Sequence, residues 1–267
     1  MTATQADWAL SLYRRSVLKQ AKVREITSAL GDVGGRRCLD LGGDNGIVSY
    51  LLREGGGAWV SADVGERNTG SIRALVGRSV CRIDGVHLPF RTRSFDAIVV
   101  VDLLEHVADD RGLAAELARI IRPGGLLIVN VPHLKPRSIL NRLRHAAGLT
   151  DAWHGHVRPG YSAAGLRRLL SPGFRIDRSR TYSRAFTETI DLALNAAYLR
   201  RAPSSDASKG TVVTGEDMAS QPRGFALLSA AFPLLRVFSA LDALLPLQPG
   251  YKLIVRAIRE GGTGRDA

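Results

Sequence analysis

The stretch Cys38–Gly46 reads Cys-Leu-Asp-Leu-Gly-Gly-Asp-Asn-Gly, and it decides the fold. Apolar residues lead into Asp40, glycines stand at 42, 43 and 46, and an apolar helical pattern follows. This order predicts a strand that ends in a tight turn and opens a helix. Glycines in such a turn let the backbone approach a ligand closely, and the helix N-terminus supplies unpaired N–H groups. The stretch therefore predicts a ligand site, in which Asp40 takes a cationic or hydroxyl group.

Two further acidic residues follow predicted strands. The apolar stretch 59–62 leads into Asp63, roughly twenty residues after the glycine turn, where a carboxylate meets the two hydroxyls of an adenosine ribose. A third predicted strand, 80–83, leads into Asp84 and Gly85. The alternation of strands and helices implies a parallel sheet, and ligands of such sheets lie beyond the carboxyl ends of the strands.

Two buried strands complete the pattern. The stretch 94–101 is followed by Asp102–Val107, and the stretch 126–132 is preceded by a Pro-Gly-Gly turn. The whole run from Cys38 to Pro132 resembles the class I S-adenosylmethionine (SAM)-dependent methyltransferases, and within them the branch typified by the ubiquinone and menaquinone methyltransferases. Five elements in the same order and spacing carry this resemblance, and no one of them would carry it alone.

The resemblance implies a Rossmann-like α/β fold with a seven-stranded, mostly parallel sheet, an antiparallel last strand and a helical insertion before that strand. It implies SAM as the cofactor and methyl transfer as the activity. Asp63 is expected to hold the ribose hydroxyls and Asp84 the adenine amino group. The cofactor-binding residues expected on this basis are Asp40, Gly42, Gly43, Asp44, Gly46, Asp63, Asp84, Gly85 and Asp102.

One position departs from the family pattern, which is acid-x-Gly-x-Gly-x-Gly. The middle glycine is Asp44 here. Aspartate tolerates a left-handed backbone better than most residues, so the turn can survive. The added carboxylate either faces the cationic end of the cofactor or caps the following helix, and capping is the favoured interpretation.

A histidine follows the fourth predicted strand. If the acceptor is a hydroxyl, a base near the methyl group assists transfer, and His106 is best placed by sequence, with Glu105 orienting it. In the resembling enzymes the Glu-His pair there lies beside the substrate pocket. The alternative is that His106 only closes its loop, and His154 and His156 are the next candidates. The spacing of Glu105 and the two histidines matches no standard metal motif, so no metal is predicted.

The segment 133–161 is rich in Pro, Gly, Arg and His, which favours an ordered loop over a helix. It leaves the fifth strand at its carboxyl end, so it is expected to border the active site. The residues predicted to contact the acceptor are Glu105, His133, His154, His156, Arg158 and Tyr161.

Four segments are predicted along the chain: an N-terminal helical cap over 1–31, a SAM-binding core over 32–184, a helical insertion over 185–250, and a final strand with a flexible tail over 251–267. The cap either covers the cofactor cleft or packs on the flank of the sheet. A parallel sixth strand ends on the ligand side, and the antiparallel seventh strand, expected over 251–258, starts there. The insertion is therefore expected to emerge over the active site.

The insertion contains two apolar helical patterns joined by a polar link over about 202–223. The second pattern, 225–247, is nearly long enough to span a membrane, but Pro233, Arg236 and Asp242 argue against a span. From Pro233 on, the apolar residues form one stripe with Arg236 and Asp242 opposite. Such a stripe can pack on the core, a second subunit, an acyl chain or the membrane interface.

The net charge of +12 predicts attraction to polyanions such as anionic lipid, nucleic acid or a phosphorylated substrate, with a solvated basic surface as the plain alternative. Cys38 and Cys81 fall on predicted strands and are typical of buried thiols in a reducing compartment. No signal pattern opens the chain, so a cytoplasmic location is expected, with peripheral association at the inner membrane face.

These features favour an enzyme that transfers a methyl group from SAM to a small-molecule, glycan or lipid-linked acceptor, at oxygen. An RNA methyltransferase suits the charge, but it needs aromatic platforms or an added RNA-binding module, and the aromatic content is only 6%. DNA is not an expected partner, whereas a second copy of the chain is one candidate for the apolar stripe. A non-catalytic SAM-binding scaffold is the alternative from another class, and the intact set of acids and glycines argues against it.

Overall fold

A computed structural model of the protein describes residues 3–201 and 222–261. The polar link predicted over 202–223 therefore lies outside the described residues, apart from its last two positions. The tail predicted after the last strand likewise lies outside them from residue 262 on.

The centre of the molecule is a seven-stranded sheet with the order β3-β2-β1-β4-β5-β7-β6. Strands β1 to β5 run parallel, and β7 is antiparallel to both of its neighbours, β5 and β6. This confirms the predicted Rossmann-like sheet with its antiparallel last strand. The strands are β1 (Arg37–Leu41), β2 (Ala58–Asp63), β3 (Val80–Arg82), β4 (Phe95–Val101), β5 (Ile121–Pro132), β6 (Phe174–Tyr182) and β7 (Lys252–Arg259).

Helices alternate with the strands and cover both faces of the sheet. They are α1 (Ala3–Arg14), α2 (Val17–Leu30), α3 (Ile47–Glu54), α4 (Glu66–Val76), α5 (Asp110–Ile120), α6 (Ile139–Ala146), α7 (Asp151–His154), α8 (Ala163–Leu170), α9 (Ala185–Arg201) and α10 (Pro222–Ala240). Two 3₁₀ turns, Leu104–His106 and Leu241–Leu244, complete the described elements.

Side chains of β4 show why both faces must be covered. Ile98 and Val100 belong to one buried cluster, together with α5 and α8, and Ala97, Val99 and Val101 belong to the other, together with α2 and α3. A strand that is apolar on both faces is stable only when helices exclude water from each. The carboxyl ends of β1, β2 and β4 are thereby held at one edge of a packed sheet.

The segment 133–161 contains two helices, so the prediction of a loop there is wrong. The Ser138 side chain caps α6 by accepting from the N–H of Asn141, and the Thr150 side chain caps α7 by accepting from the N–H of Trp153. Gly155 ends α7 in a left-handed conformation. Both helices are short, so capping side chains rather than a long apolar period define them.

Helix α10 continues through Pro233, so this residue does not interrupt the apolar run. Asp242, predicted to lie on the polar side of the stripe, instead accepts hydrogen bonds from the N–H groups of Arg184 and Phe186 at 2.7 and 2.9 Å. These donors lie at the N-terminus of α9, where backbone N–H groups have no partner within the helix. The two helices of the insertion are thus joined through a helix cap, and the rings of Phe186 and Phe238 pack edge to face beside it.

Candidate active site

A cavity of about 960 Å³ opens beyond the carboxyl ends of the parallel strands. One end is lined by the turn after β1 and the ends of β2 and β4, and the other end by the segment 132–159 and by α9. Side chains of α2 and the start of β7 close its sides. The volume suits a ligand larger than an amino acid, and the site lies where open α/β sheets bind ligands.

The glycines of the turn after β1 pack closely against other parts of the protein. Gly42 has φ +81°, and a Cβ there would lie 2.1 Å from the carbonyl oxygen of Val101. Gly46 has φ +85°, and a Cβ would lie 2.8 Å from the Cα of Ile72. Any side chain at either position would therefore strain the backbone and displace a neighbouring element. Gly42 lines the cavity, whereas Gly43 and Gly46 are not among the residues that line it.

Asp44, the residue that departs from the family pattern, does not cap helix α3. The N-cap is Gly46, which has no side-chain cap, so the capping interpretation is wrong. Asp44 adopts φ +50°, as the tolerance of aspartate for left-handed backbone allows. Its carboxylate lies 3.5 Å from the ammonium of Lys19 on α2, and both residues line the cavity. The turn is thereby tied to the N-terminal helices.

Asp40 lies beneath the turn instead of in the cavity. It is buried, and its carboxylate accepts hydrogen bonds from the hydroxyls of Ser49 and Ser61. Arg53 lies 3.6 Å away. Burial raises the pKa of Asp40, and the two hydroxyls oppose that shift. Asp40 thus takes hydroxyl groups, as the sequence suggests, but these belong to the protein and tie β1 to β2 and α3.

Asp63 ends β2 at the wall of the cavity. Its Oδ1 accepts from the N–H of Gly65 and from the side-chain amide of Asn68, each at 2.9 Å. A carboxylate has two oxygens and about four acceptor positions, so Asp63 retains capacity for a pair of ligand hydroxyls. Burial raises the pKa of this carboxyl, which a hydroxyl donor would counteract. Its position fits the expected ribose-binding role.

Asp84 lies away from the cavity walls, which corrects its expected place in the cofactor site. Its carboxylate accepts from the N–H groups of Val86 and His87, and these bonds lower its pKa. It therefore orders the turn that follows β3. Gly85, with φ +93°, belongs to the same turn and is likewise absent from the cavity wall.

Asp102 stands at the centre of a charged network. It adopts φ +43° after β4. Its carboxylate forms ion pairs with Lys22 of α2 and Lys252 of β7, and it accepts a hydrogen bond from the side-chain amide of Asn130. Burial alone would raise the pKa of Asp102, but the two ammonium groups hold it well below its usual range. The acid therefore stays ionised and links the N-terminal helix to the last strand across the cavity.

The acceptor end of the cavity contains Glu105, His106, His154 and His156. Nδ1 of His106 lies 3.0 Å from the carbonyl oxygen of Gly155, and the ring centroids of His106 and His156 are 4.8 Å apart. His154 stacks on His156 at 5.1 Å. Burial, followed by the charge of Asp102, raises the pKa of Glu105 to about 8; burial, followed by His106, lowers the pKa of His156 to about 4.

Arg158 and Tyr161 do not line the cavity, so their predicted contact with the acceptor is corrected. The guanidinium of Arg158 donates to the carbonyl oxygens of Leu104, Val107 and Ala108. The hydroxyl of Tyr161 donates to Asp110. These bonds hold the loop that carries His106. His133 does line the cavity, and its Nδ1 lies 2.8 Å from the carbonyl oxygen of Gly250.

Four cavity-lining or adjoining residues were missed from the sequence: Lys22, Lys252, Asn130 and Tyr182. The hydroxyl of Tyr182 donates to the side chain of Asn130, which in turn donates to Asp102. A signal existed for Lys252 and Asn130, because each is a polar residue within or next to an apolar strand near its ligand-side end. Lys22 carried no such signal, since a lysine on an amphipathic helix is usually solvated.

Comparison with known proteins agrees with this geometry. Residues 39–129 match the model of a methyltransferase domain family. The chain carries a class I SAM-dependent methyltransferase domain. Its cofactor is SAM, and the cradle fits it, since Gly42 and Asp63 line the cavity and Asp63 has acceptor positions left for hydroxyls.

The relatives found by sequence match up to half of this chain. A demethylmenaquinone methyltransferase of Mycobacterium sp. (strain KMS) is 36% identical over 108 residues, which is 40% of this chain and 46% of that protein. A ubiquinone biosynthesis O-methyltransferase of Hahella chejuensis is 29% identical over 151 residues, 50% of this chain and 61% of that protein. The matched region thus spans about half the length of these relatives.

Solved structures share the fold over nearly the whole chain. A chain in the complex between the Haloferax volcanii Trm112 methyltransferase activator and a methyltransferase is similar with a TM-score of 0.56 at 17% identity, covering 97% of both chains. A SAM-dependent methyltransferase from Mesorhizobium loti gives 0.54 at 18% identity, covering 88% of this chain and 96% of its own. The [4+2]-cyclase SpnF gives 0.58 at 19% identity, covering 91% and 83%. At these identities the likeness establishes the fold alone.

Proposed function

We propose that the protein transfers a methyl group from SAM to a hydroxyl of a small amphiphilic or lipid-linked acceptor. One observation carries the proposal: a single cavity joins the cofactor cradle at Asp63 to the histidine cluster around His106. Bound SAM supplies a methyl group already activated on a sulfonium. The chain's own task is then to align the acceptor with that methyl and to exclude water.

His106 is the proposed base. Because its Nδ1 faces the carbonyl oxygen of Gly155, Nδ1 carries the proton and Nε2 keeps a lone pair. Nε2 is then the atom that takes the proton of the acceptor hydroxyl. Arg158 and Tyr161 support this role indirectly, because they fix the loop on which His106 stands.

The outer half of the cavity favours an acceptor with both apolar and polar parts. Leu134, Leu149 and Leu194 contribute apolar surface there, and Lys135 and Arg142 contribute positive charge. The curated relatives are named for quinone biosynthesis, which supports an amphiphilic acceptor without fixing its identity. The atom that we propose to be methylated is an oxygen of this acceptor.

We further propose that the protein works at an anionic membrane surface. The stretch Ala226–Leu244 is long and apolar enough to cross a membrane, with mean hydropathy 1.6, and none of its residues is fully buried. Arg236 and Asp242 within it favour a position at the membrane surface over a span. Leu234 and Val237 of α10 are 75% and 67% exposed. Exposed Ile139 and Leu143 of α6 add apolar surface near the cavity mouth. Apolar side chains beside a net charge of +12 suit an anionic interface.

The experiment that tests the function is a transfer assay with labelled SAM and a bacterial lipid extract, separated by polarity. Label in an alkali-stable amphiphilic product supports methyl transfer to such an acceptor. Label that stays in SAM with every lipid fraction, while calorimetry shows that SAM is bound, contradicts it. Because SpnF shares this fold and is named a cyclase, fold alone does not settle the reaction, and this assay is required.

A further inference from the structure

Three side chains at the acceptor end of the cavity converge on one point. Glu105, His106 and His156 each place a ligand atom within 4.8 Å of the ligand atoms of the other two. Glu105 and His106 follow β4, whereas His156 comes from the loop after α7. The separation in sequence explains why their spacing matches no standard metal motif.

Glu105 lacks a partner that a buried carboxylate requires. Its side chain is 1% exposed, and neither carboxylate oxygen has a hydrogen-bond partner among the described residues. An unpaired polar group in such a place costs free energy unless a cation or donor meets it. The neighbouring ammonium groups of Lys22 and Lys252 are directed to Asp102 instead.

The ring of His106 is oriented as that of a metal-binding histidine usually is, and the ring of His156 is held less closely. Nδ1 of His106 lies 3.0 Å from the carbonyl oxygen of Gly155, and Nδ1 of His156 lies 3.7 Å from a carboxylate oxygen of Asp151. Metal-binding histidines almost always donate one ring N–H to such an oxygen, which leaves the other nitrogen to bind the ion. Nε2 of His106 is therefore its ligand atom, whereas 3.7 Å is too long for a hydrogen bond, so either ring nitrogen of His156 can bind the ion.

We propose that Glu105, His106 and His156 bind one divalent transition-metal ion. Two imidazoles and one carboxylate suit Zn²⁺, Mn²⁺ or Fe²⁺ better than Mg²⁺ or Ca²⁺, which prefer oxygen ligands. Three protein ligands leave open positions on the ion, and these face a cavity that also holds the acceptor. The binding of the ion stands on this geometry alone, whereas a role in holding the acceptor oxygen rests on the proposed function.

His106 cannot bind the ion and act as the base at the same time, because a metal bound at Nε2 takes the lone pair that would accept a proton. Chelation separates the two. If the ion is needed, chelator treatment lowers transfer, and added Zn²⁺ or Mn²⁺ restores it. If His106 acts only as a base, the chelated protein keeps its activity.

The decisive measurement does not depend on activity. Tag-free protein is stripped with EDTA and titrated with Co²⁺, which reports an ordered N/O site through visible d–d absorption, and with Zn²⁺ by calorimetry. We expect one ion per chain. His156→Ala and Glu105→Gln should each weaken binding at least tenfold, whereas His87→Ala, an exposed histidine outside the cavity, should not change it.

Thermal melting and SAM binding show whether each variant is folded. Folded His156→Ala protein that binds Co²⁺ as the unaltered protein does would overturn the assignment. So would an ion that binds only weakly and without d–d bands, since that describes adventitious surface binding. Neither result would affect the transfer assay, so the metal proposal and the proposed function fail independently.

Discussion

The two ends of the cavity are built in different ways. The cofactor end is built largely within one stretch of the chain, residues 37–101: Asp63 is held by Gly65 and Asn68, and the turn at Gly42 packs on Val101 at the end of β4. The acceptor end is assembled from distant segments. His106 meets the loop at 155–156, and Asp102 meets Lys22 and Lys252. The first end therefore forms largely within one stretch of the chain, whereas the second requires segments from both ends of the chain to meet.

This difference has a functional consequence. A cradle formed within one stretch can be shared among proteins whose other parts differ, which fits a family match that covers the cradle and ends before the segment 133–161. An acceptor end that depends on α9, β7 and the segment 133–161 can change with those segments while the cradle stays the same. Substitutions at the two ends should therefore affect different measurements.

The largest expected effect is at the acceptor end. His106→Ala should lower turnover by about 10²–10⁴-fold, because a positioned base contributes about that much to a proton-transfer step. SAM affinity should stay unchanged, since His106 lies beyond the cofactor cradle. Turnover in the transfer assay and SAM calorimetry on the same sample test both statements.

The exposed His87→Ala variant serves as the control for the loss of a histidine as such. Full turnover in His106→Ala would show that this side chain only closes its loop. The base would then be sought at His154 or His156, or not at all.

A smaller effect is expected at the cofactor end. Asp63→Ala removes a carboxylate placed for two hydroxyls, a charge-assisted contact worth about 1.5–3 kcal/mol, or roughly 10- to 150-fold in Kd. Calorimetry with SAM measures the loss, and a melting curve detects damage to the turn that Asp63 holds. The matched control is Asp84→Ala, because that carboxylate orders a turn outside the cavity wall.

Equal SAM affinity in Asp63→Ala and the unaltered protein would remove Asp63 from the ribose site. If Asp84→Ala instead weakens SAM as strongly as Asp63→Ala, the turn after β3 takes part in binding despite its place outside the cavity wall. Either result would change which residues are assigned to SAM binding.

The same contrast explains what the sequence could predict. The alternation of apolar strands and helices predicted a parallel sheet, and the glycines at 42, 43 and 46 predicted the turn, whereas the antiparallel last strand was implied by the family resemblance. Asp40 and Asp44 were assigned to the right turn, but their partners were not predictable, because Ser49, Ser61 and Lys19 are ordinary residues until the helices pack.

The acceptor end was predicted less well for a physical reason. Arg158 has a basic side chain in a polar loop, and nothing in its neighbours indicates that it will bind three backbone carbonyls. Asp242 looks like one polar residue on an amphipathic helix, yet it caps α9, nearly sixty residues earlier in the chain. Long-range pairing of single polar groups leaves no periodic signal in a sequence.

The smallest effect on the fold, and the sharpest test of the membrane proposal, concerns the exposed face of α10 and the turn after it. Leu234 and Leu244 are 75% and 71% exposed, so Leu234→Glu with Leu244→Glu should change the free energy of unfolding by only about 0.5 kcal/mol. Binding to phosphatidylglycerol vesicles at low salt should fall at least tenfold, because each leucine loses its apolar contact and gains a repelled charge. Co-sedimentation with the vesicles measures this loss of binding.

The charge-matched control places glutamates at exposed Ala115 and Ala164 of α5 and α8. It should weaken binding far less, since it adds the same charge without removing apolar surface. Equal loss in both variants would mean that net charge alone attracts the protein, and a large fall in melting temperature would mean that this face is packed inside an assembly instead of facing lipid.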